Sequence, residues 1–132
     1  MTTPTPNYDR SILTGTVAWV VSIAVLHWLP LPIRIDARFT PRMGELLLGN
    51  SIFFAVVVYR LVRRKPAAER FPAAAAIVMP VAFGDGVAMA FFPDFFPTLS
   101  PDAGAMFAAF LLLTSAVILA TGFAAGLRNA RV

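Results

Sequence analysis

The chain has 132 residues, 58% of them apolar and only 14% charged, with 11 Lys and Arg against 7 Asp and Glu, a net charge of +4 and a mean hydropathy of +0.75. At this length surface dominates volume, so a water-soluble fold would have no core large enough to hide so much apolar area. The composition excludes a disordered chain, and the lack of Cys excludes a disulfide framework and a zinc–thiolate centre.

Lipid is therefore the expected solvent, and four segments reach the roughly 20 helical residues that a hydrocarbon core of about 30 Å requires. The first, residues 11–33, carries no formal charge, and its only ionisable group is His27. Its apolar run exceeds the roughly 7–15 residues of a signal-peptide core and no small-x-small cleavage site follows, so it reads as a retained span. The second, residues 43–62, has Glu45 near one end and Arg60 near the other, and Thr40-Pro41 before it supplies a capping hydroxyl and a proline suited to a first helical turn. The third, residues 71–92, encloses one charge, Asp85, and Pro80 inside it predicts a kink. The fourth, residues 103–127, encloses none and follows Ser100-Pro101-Asp102, a second capping hydroxyl and proline with an acid suited to the helix dipole.

Orientation follows from the cations. Arg10, Arg60, Arg63, Arg64, Lys65, Arg70, Arg128 and Arg131 share one side of a four-span chain, and Arg34, Arg38 and Arg42 the other. Eight against three places both termini and the middle loop in the cytoplasm. The connection over residues 93–102 has two acids and no cation, as an outer loop should. Trp28, Phe91, Phe92, Phe95 and Phe96 fall near the outer boundary and Tyr8 and Tyr59 near the inner one, in the pattern of interfacial aromatic belts. Cations placed between apolar runs in this way are topology signals and not a nucleic-acid footprint; the expected partners are membrane lipids.

Asp85, in Phe83-Gly84-Asp85-Gly86, is the most informative residue. A carboxyl at membrane depth is costly, so it is expected to face the bundle interior, a watery cavity or a partner, in either a functional or a purely structural role. At 1.5 Å per residue, Asp85 lies roughly 21 Å above the inner end of its span, with His27 and Glu45 within a few ångströms of that height and Asn50 somewhat deeper. Thr114 and Ser115 fall at nearly the same level on the fourth span. His27, Glu45, Asn50 and Asp85 thus form a candidate polar layer, with His27 also placed to be a headgroup-level residue. One imidazole, no thiolate and scattered Met43, Met79, Met89 and Met106 make a poor metal site, and no nucleophile elbow or phosphate loop occurs. No metal, cofactor or catalysis is expected.

Small residues mark helix seams: Ala82, Gly86 and Ala90 on the third span, Gly122 and Gly126 on the fourth, and Ala116, Ala120 and Ala124 beside them. These are expected to pack within one chain, with a homodimer face as the alternative.

Glu69-Arg70, Met79-Pro80 through Gly84-Asp85, the run Phe96-Pro97-Thr98-Leu99-Ser100-Pro101, and Leu119-Ala120-Thr121-Gly122 are the features by which residues 69–123 resemble a family of small bacterial four-helix membrane proteins, a domain of unknown function. The resemblance implies a four-helix integral membrane protein and no particular activity, and the expected location is the bacterial cytoplasmic membrane. The expectation is thus an all-α, polytopic, up-down bundle of four transmembrane helices forming a single domain. Its expected role is non-enzymatic: self-association or service as an accessory subunit of a membrane complex. The alternative is a small proton-coupled transporter or channel-like subunit that uses Asp85.

Overall fold

A computed structural model of the chain describes residues 7–28, 38, 40–97 and 99–127. Pro30, Pro32 and Arg34, the end of the first expected span (29–33), Thr98, and the tail cations Arg128 and Arg131 lie outside the described residues.

Among the described residues the chain is all-helical, with no strand. The long helices are α1 (Asp9–Trp28), α2 (Pro41–Val62), α3 (Ala67–Ala90) and α5 (Gly104–Leu127); a single turn, α4 (Phe92–Phe95), and a 3₁₀ turn (Pro101–Ala103) link the last two. Three helical segments are long and apolar enough to cross a membrane: Pro41–Val62, Ala67–Ala90 and Pro101–Leu127. Large apolar side chains stay exposed on every long helix, among them Leu13 and Val21, Leu48 and Phe53, Met79 and Phe83, Leu112 and Phe123. A surface of this kind is unfavourable in water and matched by lipid tails.

Local chemistry explains the helix ends. Before α1, the Asn7 side chain accepts from Asp9 N–H at 2.8 Å, so the helix starts two residues ahead of the expected span. Thr40 Oγ1 accepts from Met43 N–H at 3.4 Å, and Pro41 opens α2 as expected. The helix α3 begins at Ala67, four residues before the expected 71, because Pro66 is a ready terminator and Glu69 fits the positive end of the dipole. It ends at Ala90 and not at 92, because Phe91 leaves helical geometry and Phe92-Pro93 start α4. Ser100 does sit at an N-cap, but its hydroxyl makes no capping bond; its carbonyl accepts from Ala103 instead.

α3 is the central helix. It packs on α5 along one side and on α1 along another, and α2 packs mainly on α5. Both contacts of α3 have a small-residue seam. Gly122 lies directly against Ala74 and Gly126 near the Ala67 carbonyl, so the α5 seam forms within the chain. Gly15 of α1 lies against the Ile77 carbonyl and Pro80 of α3. A Cβ at Gly15 would have no room there, which is how α1 can approach the proline-bearing turn. Ala82, Gly86 and Ala90, by contrast, form no seam among the described residues: all three are exposed there, and no described residue lies within 4 Å of a Cβ built on Gly86. Ala116, Ala120 and Ala124 are likewise exposed. The face of α3 that does pack carries Ala73, Ala74, Ile77, Gly84 and Ala88.

Buried apolar residues form two clusters. The inner one joins Val58, Val62, Ala73, Ala74, Val78, Ile118 and Ala125. The outer one joins Met43, Ala88, Phe92, Phe96, Ala103, Phe107 and Phe110. Phe92 (6% exposed) and Phe96 (0%) are therefore not interfacial: α4 folds them inward, and Phe96 meets Phe107 edge-on at 4.6 Å between ring centroids, closing the outer end of the helix assembly. Trp28 and Phe91 remain on the surface.

Candidate functional site

Between the two clusters, where α1, α2, α3 and α5 converge, lies a cavity of about 200 Å³. Its polar lining is Trp19 and Ser22 from α1, Asn50 from α2, Asp85 from α3 and Thr114 from α5; Ile23, Leu46, Leu47, Phe54, Val81, Phe107, Phe110, Leu111 and Ile118 supply most of its apolar wall.

Asp85 is held by a long-range contact. The Trp19 indole N–H donates to its Oδ1 at 3.0 Å. That bond needs Gly84, because the Trp19 ring lies across the α3 backbone where a Cβ at position 84 would sit. The other carboxyl oxygen, Oδ2, has no hydrogen-bond partner among the described residues, and Asp85 borders the cavity. On the facing wall Asn50 Nδ2 donates to Thr114 Oγ1 at 2.8 Å, and that hydroxyl donates to the Phe110 carbonyl at 2.9 Å. The Thr114 proton is thereby committed to its own helix, as is usual for threonine in a helix interior. Asn50 also lines the cavity, and its carboxamide oxygen has no partner among the described residues.

Of the expected polar layer, Asp85 and Asn50 meet in one cavity and His27 and Glu45 do not join them. Equal height on neighbouring spans does not make two side chains converge; helix rotation decides that. His27 turns to the outer loop, where its Nδ1–H donates to the Phe95 carbonyl at 2.9 Å, and Trp28 meets its ring edge-on at 5.1 Å. Glu45 is exposed on α2. Sequence reasoning missed Trp19 and Ser22. The available signal was a Trp in mid-span, away from the interface where that side chain usually sits, with a glycine beside the intramembrane acid. Among the described residues no group of three His, Cys, Asp or Glu side chains could hold a metal ion.

A second polar centre closes the end of the assembly at the α2–α3 connection. Arg70 Nη1 donates to the Ala125 carbonyl at 2.7 Å, Nε to the Lys65 carbonyl at 3.0 Å and Nη2 to the Arg63 carbonyl at 3.1 Å. One guanidinium thus satisfies carbonyls at the end of α5 and in the α2–α3 connection, where no intrahelical donors remain. Lys65 Nζ lies 5.8 Å from the centroid of the Tyr8 ring, which ties the start of α1 to the same end.

A family model described as a family of unknown function, DUF5367, matches residues 45–128. The match contains the whole stretch over which the resemblance was read and includes Asn50, Asp85 and Thr114, while Trp19 and Ser22 precede it. No curated protein and no solved structure matches the chain.

Proposed function

The chain belongs to the DUF5367 family of unknown function, and we propose that it is a non-enzymatic integral membrane protein, a small carrier or channel-like subunit whose working part is the Asp85 cavity. A single observation carries this reading: a carboxyl inside a largely apolar helix assembly has one oxygen held by Trp19 and no second partner among the described residues, and its residue borders a cavity of about 200 Å³. A structural acid would satisfy both oxygens on neighbouring helices; this one, at the cavity wall, leaves one oxygen without a partner among the described residues. In the proposed topology α1 is a fourth span, since its 20 residues extend about 30 Å. The cation distribution then supports cytoplasmic termini and a bacterial cytoplasmic membrane.

Asp85→Asn keeps size and polarity and removes the ionisable group. In vesicles with an imposed pH gradient and an internal pH-sensitive dye, wild type is expected to carry pH-dependent flux and the variant to lose it while retaining its detergent melting profile. Flux unchanged by the substitution removes the reading.

Association with a second copy or a larger membrane complex is a second reading, favoured by the Ala82, Gly86 and Ala90 stripe, which is exposed along α3 with open space at Gly86. Gly86→Leu is expected to abolish a crosslinked complex in mild detergent without changing the fold. A complex that survives it counts against association through this face.

A further inference from the structure

We propose that the Asp85 cavity takes a small apolar amine as its ammonium cation, an assignment that rests on reading this cavity as the working site. The charge inventory comes first. Asp85 is the only ionisable side chain among the described residues that line the cavity, so α1, α2 and α5 present it with no cation, and an ionised carboxylate there calls for a counter-charge from a ligand. With Oδ1 engaged by Trp19, Oδ2 is the oxygen that receives an ammonium N–H. The Asn50 carboxamide oxygen is a second acceptor on the facing wall.

The walls choose among cations. A calcium-sized ion needs about six to eight oxygen ligands, and this lining is dominated by hydrocarbon and by the rings of Phe54, Phe107 and Phe110. Aromatic faces stabilise organic ammonium groups and add contact area for an attached ring or alkyl chain. A volume of about 200 Å³ equals roughly seven liquid waters at ~30 Å³ each, room for a single-ring amine.

Access follows the same sign of charge. Trp19 and Ile23 also line a shallower groove at the outer end of α1, whose other residues include His27, Trp28 and Asp94. Asp94 and Trp28 are exposed there, an acid beside an aromatic face, and the two shared residues form the wall between this groove and the cavity. A cation drawn to the outer groove is one side chain, the Asp85-bonded Trp19, away from the inner carboxylate.

The test uses the full chain in lipid nanodiscs at pH 7 with Trp28→Phe, which leaves Trp19 as the sole indole. Benzylammonium is expected to change Trp19 emission saturably, and benzyl alcohol, nearly the same shape without charge, to bind roughly tenfold to a hundredfold more weakly. Asp85→Asn in the same background is expected to weaken benzylammonium by a similar factor and to leave benzyl alcohol unchanged. Equal binding of the two probes to the protein with Asp85 intact overturns the assignment, and that comparison needs no folded Asp85 variant. Should the probes bind equally while Asp85→Asn still abolishes proton flux, the ligand class fails and the working site stands. Charge-dependent benzylammonium binding with flux indifferent to Asp85 upholds the ligand class and removes the carrier.

Discussion

Gly84 and Gly86 flank one carboxylate and do different work. At about 100° per residue they stand roughly 200° apart on α3, so one faces the neighbouring helix and the other faces away. Gly84 accepts the Trp19 ring against its backbone; Gly86 meets nothing within 4 Å. Gly84→Ala places a methyl where the ring lies, lengthening or breaking the Trp19–Asp85 bond, and is expected to cost about 1–3 kcal/mol as an overpacked substitution. Gly86→Ala is expected to be neutral or to stabilise by up to about 1 kcal/mol through helix propensity. Thermal unfolding in detergent separates the two, and equal melting temperatures would contradict the packing described. At this scale Asp85 was legible because an acid in lipid is too costly to be incidental. Its partner was not, because any of several side chains at that height could donate and only the rotation of α1 selects Trp19. The same rotation sends His27 to the Phe95 carbonyl, and the rotation of α2 leaves Glu45 outside the cavity.

At the scale of elements, the helix starts were written in local chemistry. Thr40-Pro41 and Pro101 open helices as their residue types dictate, since capping needs only neighbours in sequence. The inner ends depend on a residue far away along the chain. Arg70, at first a topology signal, bonds three carbonyls and one of them lies 55 residues on, at Ala125. Hydrogen bonds from charged donors are worth about 1.5–3 kcal/mol each, so Arg70→Gln is expected to lower stability well beyond Arg64→Gln, an exposed cation in the α2–α3 connection. Faster amide hydrogen exchange at residues 63–67 and at the end of α5 should accompany it. Parity between the two variants would show that Arg70 acts only as a charge. The turn α4 was the least legible element: Phe92 and Phe96 read as belt residues because aromatic side chains near a span end usually are, and only the break at Phe91 turns them into a plug.

For the whole molecule, the arrangement of helices around α3 makes the site a property of four elements at once. Removing any one wall opens the cavity, and so the first helix is needed although the family match begins after it. The natural absence of Cys makes the proposed topology directly measurable. Asp94→Cys is expected to react with a membrane-impermeant maleimide on intact spheroplasts, and Arg64→Cys only after permeabilisation; the reverse pattern inverts the molecule. The all-helical, lipid-facing character of the chain was legible in the sequence alone, because hydropathy depends on composition along the chain and not on contacts. Which face of each helix turns inward was decided only in the tertiary structure. Lipid tails and protein interior are equally apolar, so a membrane helix carries no hydrophobic stripe to mark its buried side. Close fit makes that choice instead, at Gly15, Gly84 and Gly122, and with it comes the pairing of Trp19 with Asp85.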